Sequence, residues 1–184
     1  MTMPQQNRNT SKQDYSTPAE FIAAATRRLR ITRFNFDFAA DASNHKARRY
    51  WDKETDALTK TAEQWAAQVA GGWGWLNPEF KDIAPWARKC AEAEDAGAHI
   101  AFLVPAGVGA NWFSDYVHHR ALVLALNGRL CFIEDWRTTI NPATLKPGKG
   151  PPRFFESEPL NPKDCMLCLF EPTISPGFDV WCWK

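Results

Sequence analysis

Long apolar runs are missing from this chain of 184 residues: no segment approaches the roughly 18 apolar positions a bilayer-spanning helix needs. The polar stretch at residues 1–14 has no apolar segment of the kind that makes a secretory leader. A dominant charge is missing too. Lys and Arg number 22 against 21 Asp and Glu, a net charge of +1. That excludes a global basic field, so any nucleic-acid contact must come from a local patch. Cysteine is sparse, with five residues. Cys165 and Cys168 form a C-x-x-C, but it lies inside the apolar run CMLCLF, where both read as buried core thiols. No second Cys pair and no His pair has zinc spacing, and the neighbours His118 and His119 rarely could share a face, so no metal is expected. Internal repeats are absent as well.

What is present suits a globular domain. Hydrophobic residues make up 45% and charged residues 23%, enough for a full core in one domain. Nine Trp stand out, and packing is the expected role for most of them. Residues 1–14 are expected to form a mobile tail, and 15–184 a single domain.

The periodicity alternates between helix and strand. Thr17, Pro18 and Glu20 read as the N-cap, first position and capping box of a helix over AEFIAAATRRLR. Phe34, Phe36 and Phe38 alternate with polar residues as in a strand. Arg49–Trp51 reads as a second short strand, and a helix over TAEQWAAQVA ends at Gly71-Gly72. A strand at Trp73–Leu76 leads through Asn77-Pro78-Glu79-Phe80 into a helix over about 83–96. His99–Pro105 is a near-continuous apolar run, the mark of a central strand covered on both faces. A short helix at 110–117, a strand at 121–126, a turn at Asn127-Gly128 with a returning strand, and a last strand at Cys165–Phe170 complete the pattern. This order predicts an α/β three-layer sandwich, Rossmann-like, on a mostly parallel sheet with an antiparallel hairpin towards the C-terminal end.

In such sheets ligands bind beyond the carboxyl ends of the strands. Asp37 and Asn77 both fall at predicted strand ends, which places them in one candidate pocket. Asp41 is the alternative to Asp37 if the strand runs two residues further. An amide at the end of so apolar a strand as Trp73–Leu76 needs partners.

The ordered set is distinctive: Thr17-Pro18, Asp37-Phe38-Ala39-Ala40, Asp56-Ala57-Leu58, Asn77-Pro78-Glu79-Phe80, then Leu103-Val104-Pro105-Ala106. It resembles the small phage-type DNA N6-adenine methyltransferases, which depend on S-adenosylmethionine. The resemblance runs from about Tyr15 to Phe170 and is strongest in WLNPEFKDIAPWARKCAE and GAHIAFLVPAGVGANWF, with NGRLCF and KDCMLC in support. It implies a cytoplasmic enzyme, a phage or prophage product in a bacterial host, with DNA as its partner. Asn77 resembles the first residue of the family's Asn/Asp-Pro-Pro-aromatic motif. The implied catalytic set is Asn77 and the Pro78 carbonyl, accepting the two hydrogens of adenine N6, with Phe80 stacking on the base. On the cofactor side the resemblance implies Asp37 with Ala39 and Ala40, Tyr15 and Thr17 at the methionine end, and Asp56 near the ribose or adenine.

Two departures stand out. Glu79 occupies the position of the motif's second Pro, and no Gly-x-Gly follows Asp37. For DNA contact, the long connection at 134–163 carries Lys146, Lys149 and Arg153 in PATLKPGKGPPRFF, without an acid. Two other readings use the same residues: a catalytically silent relative that binds cofactor or DNA, and a methyltransferase acting on another planar amino group.

Overall fold

The structure is a computed structural model, described for residues 15–130, 132–134 and 164–184. In chain order the elements are β1 (Tyr15–Ser16), α1 (Ala19–Leu29), β2 (Phe36–Asp37), a 3-10 turn (Ala57–Thr59) and α2 (Ala62–Val69). They continue with β3 (Trp73–Leu76), α3 (Ala84–Asp95), β4 (His99–Pro105), α4 (Asn111–Tyr116), β5 (Leu122–Asn127), β6 (Ile133–Glu134), β7 (Cys165–Phe170) and β8 (Gly177–Cys182). Six strands form one sheet in the order β2-β3-β4-β7-β5-β8. β2, β3 and β4 run parallel, as do β5 and β8, while β7 lies antiparallel between β4 and β5. β1 and β6 make a separate antiparallel pair.

Strand periodicity sorts the side chains into two layers. Ala101 and Leu103 of β4, with Leu167 of β7 and Leu124 of β5, pack towards Phe21, Ala24 and Ala25 of α1. Ile100, Phe102 and Val104, with Met166 and Cys168, pack on the opposite side against Trp65 of α2, Ala87 and Cys90 of α3, and Phe113 of α4. The three-layer α/β sandwich is therefore as the sequence predicts. Cys165 and Cys168 are buried on opposite faces of β7. Trp65 is fully buried, stacks on Phe38 at 4.0 Å and donates its indole N–H to the Ala57 carbonyl. Gly74 makes room for that stack. A Cβ there would lie 2.3 Å from the Phe38 ring and 2.8 Å from Val69.

Several local expectations are revised. Asn127-Gly128 does turn the chain, with Gly128 at φ +101°. The segment after it does not return along β5, because β7 and β8 occupy both edges of β5 and β6 pairs with β1. β8 is an added edge strand inside the Pro-containing tail. The Phe34–Phe38 strand shrinks to two residues: Phe34 packs on the α1 side, while Phe36 and Phe38 pack on the other. Arg49–Trp51 contributes only a bridge, Tyr50 to Asp37. The N-cap of α1 is Pro18, whose side chain has no acceptor to offer, and the Thr17 hydroxyl meets Asn77 instead. The predicted mobile tail at 1–14 and most of the 134–163 connection, with Lys146, Lys149 and Arg153, lie outside the described residues.

Candidate active site

The site is built where β2 and β3 stop. Because they are parallel neighbours, with Asp37 opposite Trp75 in register, the residues that follow them emerge on the same edge of the sheet. The Phe38 N–H donates to the Trp75 carbonyl at 2.9 Å, which holds the two ends together past the last paired residues.

Asn77 follows four buried residues of β3. Its Nδ2 donates to Thr17 Oγ1 at 3.0 Å, across 60 positions of sequence. Its Oδ1 is buried and has no hydrogen-bond partner among the described residues. Leaving such an atom unpaired costs about 1–3 kcal/mol. A small apolar residue would avoid that cost, so the amide is not there for stability. Pro78 is buried behind it. Phe80 is half-buried, packs against both core layers and sits edge-on to Phe132 at 5.7 Å. Glu79 is exposed and pairs with Lys53 at 3.5 Å, which ties the strand-end turn to the loop that carries Asp56.

Asp37 is 2% exposed. Its Oδ1 accepts from the Ala39 N–H at 3.2 Å and its Oδ2 from the Lys46 N–H at 2.8 Å. Burial pushes its pKa up to about 6, against the lowering effect of those two amides and of the Lys46 and His45 charges. It forms no ion pair among the described residues. Lys46 instead donates to Ser16 Oγ at 2.7 Å, and Ser16 Oγ donates to Asn44 Oδ1 at 2.9 Å. Burial lowers the Lys46 pKa, with Asp37 and Asp41 opposing. The Ala40 N–H donates to the Trp51 carbonyl, so the amides of both Ala39 and Ala40 are engaged within the chain.

The other acids at this edge have local duties. Asp41 is exposed and holds its own turn through Ser43 and Asn44, so Asp37 is the buried carboxylate at the strand end. Asp56 is exposed, adopts φ 45° and caps the 3-10 turn by accepting from the Leu58 N–H at 3.2 Å. Tyr15 contributes backbone pairing with Glu134.

Hydrogen bonds and one ion pair thus gather Ser16-Thr17, Asp37, Lys46 and Asn77, with the Asp56 loop attached through Lys53. Sequence reasoning missed Ser16, Asn44 and Lys46. They have no motif of their own, and only the fold brings them together. A cleft of about 560 Å³ lined by Leu58, Asp82, Arg88 and Tyr116 includes neither Asn77 nor Asp37. The strand ends are the better candidate because, among the described residues, they hold a buried amide oxygen without a hydrogen bond and a buried carboxylate without a direct ion pair.

A mostly parallel sheet with one antiparallel strand inserted, helices on both faces, and an Asn-Pro-x-aromatic turn at a strand end defines a Rossmann-like methyltransferase. The family model for DNA N-6-adenine-methyltransferase (Dam) matches residues 5–147, more than half of the chain, and the chain belongs to that family. It is an enzyme that methylates adenine N6 in DNA. The match takes in every candidate site residue except Lys149 and Arg153, and ends before β7 and β8. No curated relative matches the chain.

Proposed function

We propose that the protein, as a single domain over residues 15–184, takes its methyl group from S-adenosylmethionine and that the β2 and β3 ends divide the work. Bound here, S-adenosylmethionine would supply a methyl group activated by its sulfonium. The residues fit such a group. Asp37 is a buried carboxylate without an ion-pair partner, suited to an ammonium, and small side chains flank it at Ala39 and Ala40. Thr17 and Tyr15 would reach the methionine end. Asp56 keeps one carboxylate oxygen available for a ribose hydroxyl after capping its turn.

On the base side, Asn77 Oδ1 and the Pro78 carbonyl accept the two N6 hydrogens of a flipped-out adenine. Two acceptors on one amino group draw it towards tetrahedral geometry and localise its lone pair, which is positioning and electrostatics rather than covalent catalysis. Phe80 would stack on the base. Lys146, Lys149 and Arg153 would neutralise DNA phosphates. The motif order supports a phage or prophage origin and action within a bacterial host.

The observation that carries this reading is the buried, unpaired Asn77 Oδ1 beside Pro78. The test is transfer of radiolabelled methyl from S-adenosylmethionine to unmethylated DNA, followed by nucleoside analysis. N6-methyladenine that disappears in Asn77→Ala supports the assignment. Full transfer by that variant would remove Asn77 from the site.

A further inference from the structure

Asn77 can do its work only if its carboxamide presents oxygen, not nitrogen, to the base. The two ends of a carboxamide are alike in shape and opposite in polarity. An amino group offered the Nδ2 end would meet a donor with a donor. Asn77 directly follows β3, and the described contacts of its side chain are few: Nδ2 to Thr17 Oγ1 at 3.0 Å, and an unpaired Oδ1. Thr17 is itself 2% exposed. Its hydroxyl does not cap α1, although the local sequence invites it to.

We propose that Thr17 is a positioning residue for methyl transfer. Its hydroxyl oxygen accepts from the nitrogen end of the Asn77 amide and anchors the carboxamide in the pose that leaves the oxygen end for the adenine amino group. This rests on the assignment of Asn77 as the base acceptor and moves Thr17 from a cofactor contact to the orientation of that acceptor. The placement of Thr17 supports the role. Ser16, one residue earlier, is fixed by Lys46 and Asn44. The backbone at Tyr15–Ser16 is paired with Ile133–Glu134. The two Pro18 carbonyl bonds, to the N–H groups of Phe21 and Ile22, anchor the other side. Backbone held on both sides of Thr17 gives the amide a fixed partner, and a freely rotating amide would lose that geometry. Displacing a reacting group by about 1 Å is enough to cost on the order of a hundredfold in rate.

The experiment measures kcat, KM for DNA, cofactor Kd and thermal unfolding for Thr17→Val, Thr17→Ala, Thr17→Ser and Asn77→Ala. Thr17→Val keeps the side-chain shape and removes the hydroxyl, so kcat should fall about ten- to hundredfold. Cofactor Kd should stay within about twofold and Thr17→Ser should recover most of kcat, since its hydroxyl reaches the same amide. If Thr17→Val does not fold, Thr17→Ala carries the same comparison. Wild-type kcat in the hydroxyl-free variants overturns the proposal. A loss of cofactor affinity in step with kcat also overturns it and makes Thr17 a cofactor contact. Failure of Thr17→Ser to recover kcat does so too. An inactive Asn77→Ala beside an unaffected Thr17→Val refutes this inference alone, whereas a fully active Asn77→Ala refutes the site assignment beneath it.

Discussion

The two strand ends treat their polar side chains differently. After β3, Asn77 keeps one buried oxygen unpaired. After β2, both oxygens of Asp37 accept from backbone amides, and the carboxylate has no direct ion pair among the described residues, with only the nearby Lys46 and His45 charges to offset its burial. Among the described residues, one end lacks a hydrogen-bond donor and the other lacks a direct ion-pair partner. On the proposed reading, an adenine amino group would supply the first and the ammonium of S-adenosylmethionine the second. Two reactants can therefore be told apart at one sheet edge by the kind of deficit each meets.

The comparison depends on the two ends staying in register, and Gly74 packs directly against the residue that follows Asp37. A methyl group there would overlap Phe38, the residue after Asp37. Overpacking of this kind costs about 3 kcal/mol, or a melting temperature lower by roughly 10 °C in a protein of this size. Gly74→Ala should show that drop in a thermal scan and lose both cofactor binding and transfer. A variant with wild-type melting and activity would mean the ends are not held by this contact.

Removing the charge alone should separate the two ends. Asp37→Asn should weaken S-adenosylmethionine binding by about 2–4 kcal/mol, roughly 30- to 1,000-fold, measured by calorimetry. Equal affinity would reduce Asp37 to a turn cap.

The same carboxyl sets a pH signature. In the fold its pKa is about 6, against 3.8 ordinarily. The protonated form is thus favoured by folding, and Asp37 contributes stability that is fully present below about pH 3.8 and is lost as pH rises through about 6. An ammonium ligand needs the ionised form, so cofactor affinity should fall as pH drops below about 6. Across that window stability and affinity should run in opposite directions, and Asp37→Asn should flatten both. Affinity that is level from pH 5 to pH 7 would contradict the pairing.

The smallest effect is expected at Glu79. Its pair with Lys53 is exposed on both sides, and such pairs contribute little. Lys53→Ala should shift melting by less than about 2 °C. Glu79→Pro should leave transfer equal or higher, since it stiffens the turn without touching Asn77 or Phe80. A collapse in transfer would give the Lys53–Glu79 link a larger part in holding the Asp56 loop.

Much of this was legible in the sequence where burial and periodicity act locally. β4 and β7 are continuous apolar runs, and both occupy the residues the pattern marks. Asn77 was legible because a polar amide ends an apolar strand. Thr17 was misread as a cap because its true partner lies 60 residues away. The Asn127-Gly128 turn is correct as a local signal, but the partner of the chain beyond it is decided by β1, which no local pattern names. β8 was illegible because Phe178 and Val180 remain exposed at the sheet edge, and it becomes a strand only through pairing with β5.

The account rests most heavily on Asn77, and single-turnover transfer by Asn77→Ala at saturating cofactor and DNA isolates its part from binding. The predicted result is a rate at least about a hundredfold below wild type, with cofactor affinity unchanged within about twofold. A single-turnover rate within a few fold of wild type would contradict the claim that the unpaired oxygen at the end of β3 is the acceptor for the adenine amino group.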